Sequence, residues 1–151
     1  MKPKQIDSKS QPVIWSVGHS NRPIQSLLDL LHGAGIETVI DCRSKPRSRW
    51  PQFNGAQLAL HLAAKQIRYE PRGTNIGGFG INTGFDKTLD ELADRAKHDE
   101  HLALLCSEGK PQDCHRGTIL TPELVKRGIT VEHLLYDGQK NIEPSQARLS
   151  I

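Results

Sequence analysis

The sequence contains no apolar run near the roughly 18 residues that a membrane span requires, so no membrane association is expected. Its first stretch, MKPKQIDSKSQP, is polar and lysine-rich and lacks the apolar segment of a secretory signal, which makes the cytoplasm the expected compartment. Cysteine is scarce. Three residues are an odd and small set for a disulfide scaffold, and in a reducing compartment each is either a buried small hydrophobe or a reactive or ligating thiol. Excess charge is small too: a net charge of +3 does not by itself require a polyanionic partner, so where the charges sit matters more than their sum. Internal repeats and low-complexity stretches are absent.

What is present is a chain of 151 residues, about the size of one domain, with a hydrophobic fraction of 36% that suits a globular protein. Short β-rich runs at 13–17, 38–41, 67–70, 101–106 and 131–136 alternate with segments of helical period. Behind Pro23, Ile24, Leu27, Leu28 and Leu31 recur at i, i+3, i+4 and i+7. Leu58 and Leu62 mark a second helix after Asn54-Gly55, and Phe85, Leu89, Leu92 and Ala96 a third beyond the loop GTNIGGFGINTG. A last helix is expected from about residue 115 to 126. Strands separated by helices of this length pair in parallel through right-handed crossovers. The expected fold is therefore α/β: a three-layer sandwich of about five mainly parallel strands, an open sheet of Rossmann-like or flavodoxin-like kind. One domain is expected at 12–137, with tails at 1–11 and 138–151.

In open parallel sheets the ligand lies beyond the carboxyl ends of the strands. Those ends carry the polar residues: Gly18-His19-Ser20 after the first, Asp41-Cys42-Arg43-Ser44 after the second, Glu70-Pro71-Arg72 after the third, Cys106-Ser107-Glu108 after the fourth. Cys114, His115 and Arg116 then open the last helix on the same side, where free N–H groups favour an anion.

The motifs V-G-H-S-N-R, D-C-R-S-K-P-R-S, P-Q-F-N, G-G, L-L-C-S-E and C-H-R, in this order across about residues 13–136, resemble the family catalogued as domain of unknown function 488. By position the resemblance marks Gly18, His19 and Ser20; Asp41, Arg43, Pro46 and Ser48; Phe53 and Asn54; Gly77 and Gly78; Cys106 and Glu108; and Cys114, His115 and Arg116. It implies a fold but no chemistry. Pro122 departs from the continuous last helix that the family's pattern implies, because an interior proline removes a backbone bond.

Each motif has two readings. Cys106 is a nucleophile activated by nearby cations, or a buried thiol filling space. A phosphatase loop of the Cys-x5-Arg kind is excluded, since the sixth residue after Cys106 is Gln112. Glu108 is a general acid or base, or a carboxylate that grips Arg116 or Arg43. Asp41 fixes the tautomer of His19, or caps amides of its own loop. His115 orients a neighbour through a ring nitrogen while Arg116 presents its fork to a carboxylate or phosphate, or both are satisfied polar groups at a helix start. Residues 43–50, RSKPRSRW, place Arg43, Lys45, Arg47 and Arg49 before Trp50 and Phe53, as a phosphate backbone and a stacked base would need, or as any solvated basic loop would. The C-x7-C-H spacing is not that of a structural zinc site, so no metal and no cofactor is expected.

The function these residues suggest is a hydrolase or transferase whose crevice takes an anionic, nucleotide-related substrate or nucleic acid. Cys106, Glu108, His19 and Asp41 would be catalytic, and Ser20, Arg43, Arg47, Ser48, Asn54, His115 and Arg116 would bind the anion. The alternatives are a non-catalytic nucleic-acid-binding module and a thiol redox or metal-linked protein. The sequence leaves the oligomeric state open.

Overall fold

The computed structural model describes residues 11–136. The expected tails at 1–11 and 138–151 lie outside the described residues, except for Gln11, and so does residue 137. Five strands, β1 (Val13–Gly18), β2 (Thr38–Asp41), β3 (Arg68–Pro71), β4 (Leu102–Cys106) and β5 (Thr130–His133), form one sheet in the order β3-β2-β4-β1-β5. Every pairing is parallel, and the registers set Gly18 opposite Cys106 and Asp41 opposite Leu105. The carboxyl ends of the three central strands are therefore level. All residues of β2 and β4 are buried, as expected of strands covered on both faces, whereas the edge strands β3 and β5 are only partly covered.

The helices are α1 (Ile24–Gly33), α2 (Gly55–Ala63), α3 (Gly73–Ile76), α4 (Phe85–Lys97) and α5 (Thr121–Lys126). The apolar stripes recognised in the sequence split them between two layers. Leu27, Leu28 and Leu31 of α1 and Leu58 and Leu62 of α2 pack with Val17, Val39, Ala103 and Leu105 on one face. Leu89, Leu92, Ala93 and Ala96 of α4 and Leu124 of α5 pack with Ile14, Ile40, Leu102, Leu104 and Val131 on the other. The result is the three-layer α/β sandwich. Among the described residues, no helix is long and apolar enough to cross a membrane.

Two local features differ from a plain reading of the pattern. The glycine-rich loop contains a helical turn, α3, and Pro122 does not break the last helix. Before α5 the chain winds as a π turn, Arg116–Leu120, and the backbone N–H and side-chain hydroxyl of Thr121 both donate to the carbonyl of Arg116. Pro122 has no N–H to give the turn above it, and the wider turn stands where that bond is missing. On the sheet edge, Arg95 of α4 bonds Glu70 of β3 at 2.8 Å and Glu100 at 2.8 Å, and reaches Glu91 one turn earlier at 3.2 Å, tying helix to edge strand. These bonds hold the Glu100 carboxyl down at about 2 and pull that of Glu70 below its ordinary value.

Candidate functional site

Side chains that follow β2 and β4, residues of the glycine-rich loop and the start of the last helix meet around one cavity of about 640 Å³. Its lining brings Cys106, Glu108, Asp113, Cys114 and His115 together with Lys45, Arg47 and Phe79. A second space of about 420 Å³ adjoins it through Arg47, Ser107 and Glu108, and is lined further by Ser20, Ser48 and Trp50. Of the residues expected at the site, Asn54 lines only a third space, of about 810 Å³, with Lys45, Pro46 and Arg47 of the basic loop.

The floor is a set of buried polar groups that satisfy one another. Asp41, fully buried at the end of β2, receives Nε of Arg43 at 2.9 Å and Nη2 at 2.7 Å, and the hydroxyl of Tyr69 at 2.6 Å. Its burial, reinforced by that hydroxyl bond, holds the Tyr69 proton in place well above the ordinary range for tyrosine. Nη1 of Arg43 donates to the carbonyl of Phe53 at 2.7 Å. The guanidinium expected to grip an anion is thus committed to Asp41, two residues back, and to Phe53, just beyond the basic loop. His19 lies flat on Phe53, with ring centroids 4.3 Å apart. Its Nδ1–H donates to Ser20 O at 2.7 Å, and its Nε2 faces Nη1 of Arg43 at 3.4 Å. Its tautomer is fixed by Ser20 and Arg43 rather than by Asp41. Burial, with the Arg43 charge adding to it, lowers its pKa to about 4, so the ring is neutral. Asp41 and His19 shape the site from beneath.

Arg116 is likewise enclosed. Its Nη1 donates to Ser16 Oγ at 2.7 Å and its Nη2 to the carbonyls of Glu108 at 3.0 Å and Gly109 at 3.3 Å. Ser16 Oγ in turn contacts His133 Nδ1. Arg116 therefore fixes the loop after β4 from inside, and it is the backbone of Glu108, not its carboxylate, that meets the arginine. The carboxylate stays exposed on the cavity wall, accepting the N–H of Lys110 at 3.2 Å. Gly18 is needed where β1 passes this loop, since a Cβ there would overlap the carbonyl of Glu108. Ser48 and Asn54 serve the basic loop: Asn54 Oδ1 accepts the N–H of Ser48 at 2.7 Å, and Ser48 Oγ accepts that of Trp50 at 3.0 Å. Ser20, at φ +52°, is bonded through its backbone to Ser107.

The reactive groups collect on the wall. The structure joins Cys106 to Cys114 as a disulfide, so the nucleophile expected at Cys106 is a dithiol partner in the reduced protein and no nucleophile in this form. His115 Nε2 meets the carbonyl of Ile76 at 3.1 Å, which leaves Nδ1 as the acceptor facing Cys114 Sγ at 3.8 Å. Burial, reinforced by the Arg116 charge, lowers the His115 pKa against the pull of backbone carbonyls. Cys42, the third cysteine, is buried in the core, and burial raises its pKa beyond any physiological range.

Ser16 was open to recognition in the sequence as a polar residue inside an apolar strand; the Ile76 carbonyl and the Tyr69 hydroxyl left no such sign. No curated protein and no solved structure matches the chain. The matched stretch of the family model runs from the approach to α1 as far as Gly78, and so takes in Asp41, Arg43, Ser48, Asn54 and both glycines while leaving out His19, Cys106 and the Cys114-His115-Arg116 triplet. Over residues 23–78 this chain matches the family described as Domain of unknown function DUF488.

Proposed function

We propose that the protein is a hydrolase or transferase that takes a phosphate-bearing substrate of nucleotide size into this crevice. The observation that carries the reading is the pair of exposed cations, Lys45 and Arg47, lining the same cavity as Cys106, Glu108, Cys114 and His115. Neither side chain is bonded to a carboxylate among the described residues, whereas Arg43 and both terminal nitrogens of Arg116 are engaged. An unpaired cation beside a cavity is the one that loses least when it turns to a phosphate. Trp50, 38% exposed on the adjoining space, offers a face for a base. Glu108, one of two exposed carboxylates lining the cavity with Asp113, takes the role of general acid or base. Pro46, Pro51 and the Ser48–Asn54 bond hold the basic loop in shape before any ligand arrives.

Calorimetric binding of inorganic phosphate and of nucleoside monophosphates tests it. Nucleotides should bind, and Lys45→Ala and Arg47→Ala should each weaken binding about tenfold, the loss of one charge-assisted bond. Binding with a shallow salt dependence fits one phosphate; a slope corresponding to several phosphates would instead favour a nucleic-acid-binding module. No binding of either probe sinks the proposal. A dithiol–disulfide oxidoreductase is the second reading, favoured by the Cys106–Cys114 pair at the cavity wall, and exchange with glutathione would report it.

A further inference from the structure

We infer that the wall formed by Cys106, Cys114 and His115 is a three-ligand zinc site whose fourth position opens into the cavity. The inference rests on the reading of this cavity as the functional site. Cys106 Sγ, Cys114 Sγ and a ring nitrogen of His115 lie within 4.8 Å of one another, at the end of β4 and the start of the last helix. Four ligands about 2.0–2.3 Å from one zinc ion stand roughly 3.3–3.8 Å apart, and Cys114 Sγ and His115 Nδ1 are 3.8 Å apart. The two sulfurs are bonded to one another in this form, and reduction frees both as thiolate ligands on the same spot of the cavity lining.

Two independent features of the surroundings point to a ligand on His115. Its Nε2–H is held by the carbonyl of Ile76, which fixes the tautomer and aims the Nδ1 lone pair at the sulfurs; a histidine that binds metal through one nitrogen is held this way through the other. Gly78 passes over the same ring, and a Cβ there would come within 2.9 Å of Nδ1. A bare backbone at that point keeps the nitrogen open. Two sulfurs and an imidazole, with no carboxylate among them, suit zinc rather than magnesium or calcium. The C-x7-C-H spacing is unlike the paired spacings of closed structural sites, but a site with three protein ligands and one free position has no need of those pairs. Binding replaces the two thiol protons, which leave to solvent, and the two thiolates neutralise the ion.

The test uses the full chain, held as the dithiol by a phosphine and titrated with Co2+ as a spectroscopic stand-in for zinc. One equivalent should bind with a thiolate-to-metal charge-transfer absorption, and Zn2+ should displace it. The absorption should fall by at least half in Cys106→Ser and in Cys114→Ser and stay unchanged in Cys42→Ala. Gly78→Ala should weaken the metal about 10–100-fold, as changes around a ligand do. Should the serine variants fail to fold, His115→Ala maps the site in their place, with metal affinity at least tenfold lower. A reduced wild-type chain without the absorption, or an absorption that survives both serine changes, overturns the zinc site. Metal binding in a chain that takes neither phosphate nor nucleotide leaves the site standing and removes the substrate reading alone.

Discussion

Arg116 Nη1 donates to Ser16 Oγ at 2.7 Å, joining the start of the last helix to the middle of β1 across a sequence separation of 100 residues. Both side chains are fully buried. The bond draws the loop after β4 against the sheet, because the other end of the guanidinium holds the carbonyls of Glu108 and Gly109. Arg116→Ala would empty that space and strand three acceptors together. Its expected cost is about 3 kcal/mol or more in urea unfolding, and Arg116→Lys, with one point of contact instead of a fork, should recover less than half. An alanine variant within 1 kcal/mol of the wild type, a limit set near the cost of one ordinary hydrogen bond, would show that the arginine is not structural.

Asp41 is the hinge of the second buried network. Removing one partner of a buried ion pair leaves the other charge without compensation, so Asp41→Ala should cost about 3–5 kcal/mol, and Tyr69→Phe only about 1 kcal/mol. The two changes share one carboxylate. Their effects should therefore combine to less than their sum, which a double-mutant cycle measures. If Asp41→Asn abolished turnover while keeping full stability, the carboxylate would belong to the chemistry instead of the floor.

Acid should weaken the fold before its carboxylates titrate. His19 and His133 both have pKa values lowered to about 4, each chiefly by burial, and the Arg116 charge adds to the effect at His133. Unfolded, each titrates near 6.5. Between about 6.5 and 4 the unfolded chain binds more protons than the folded one, so stability rises with pH through that window and is lost as pH falls through it. The limiting slope is about 1.4 kcal/mol per pH unit for each histidine. Urea midpoints that stay level from pH 7 to 5 would contradict a neutral, buried pair.

The edge of the sheet gives a contrasting case. Arg95 sits among Glu70, Glu91 and Glu100, partly open to water. Arg95→Ala should cost about 1–2 kcal/mol, less than either buried network, and the loss should shrink in high salt. A salt-independent loss would mean that the stem of the side chain, packed on β3, matters more than its charge.

The layers and the parallel sheet were legible because they rest on apolar periodicity alone: Ile24, Leu27, Leu28 and Leu31 can bury one stripe in only one way. The clustering of His19, Asp41, Arg43 and Cys106 at one end followed from the parallel order of the strands. What each charged group does there was not legible. Arg43 and Arg116 look identical in sequence to arginines that bind phosphate; only the positions of Asp41, Phe53, Ser16 and two carbonyls reveal that the terminal nitrogens of both are already used. The opposite happened with Lys45, an ordinary residue of a basic loop that gains its interest from lining the same cavity as Cys106. Pro122 signalled a break, and a π turn, which carries no sequence signature, removed it.

The crevice has two sides with unequal freedom to change. Its floor is built of side chains whose partners are buried, so a substitution at Asp41, Arg43 or Arg116 is answered by the whole fold. Its rim is built of Lys45, Arg47 and Trp50 on the basic loop and Phe79 on the glycine-rich loop, exposed residues whose backbones are held by other atoms: the N–H of Gly55 on the carbonyl of Pro46, and Ser44 Oγ bridging the backbone of Phe79. Selection can exchange the rim one residue at a time without risk to folding. A chassis of this kind can change the molecule it admits while keeping the same reactive wall, so differences in taste among proteins built on it should be written in residues 45–50 and 79.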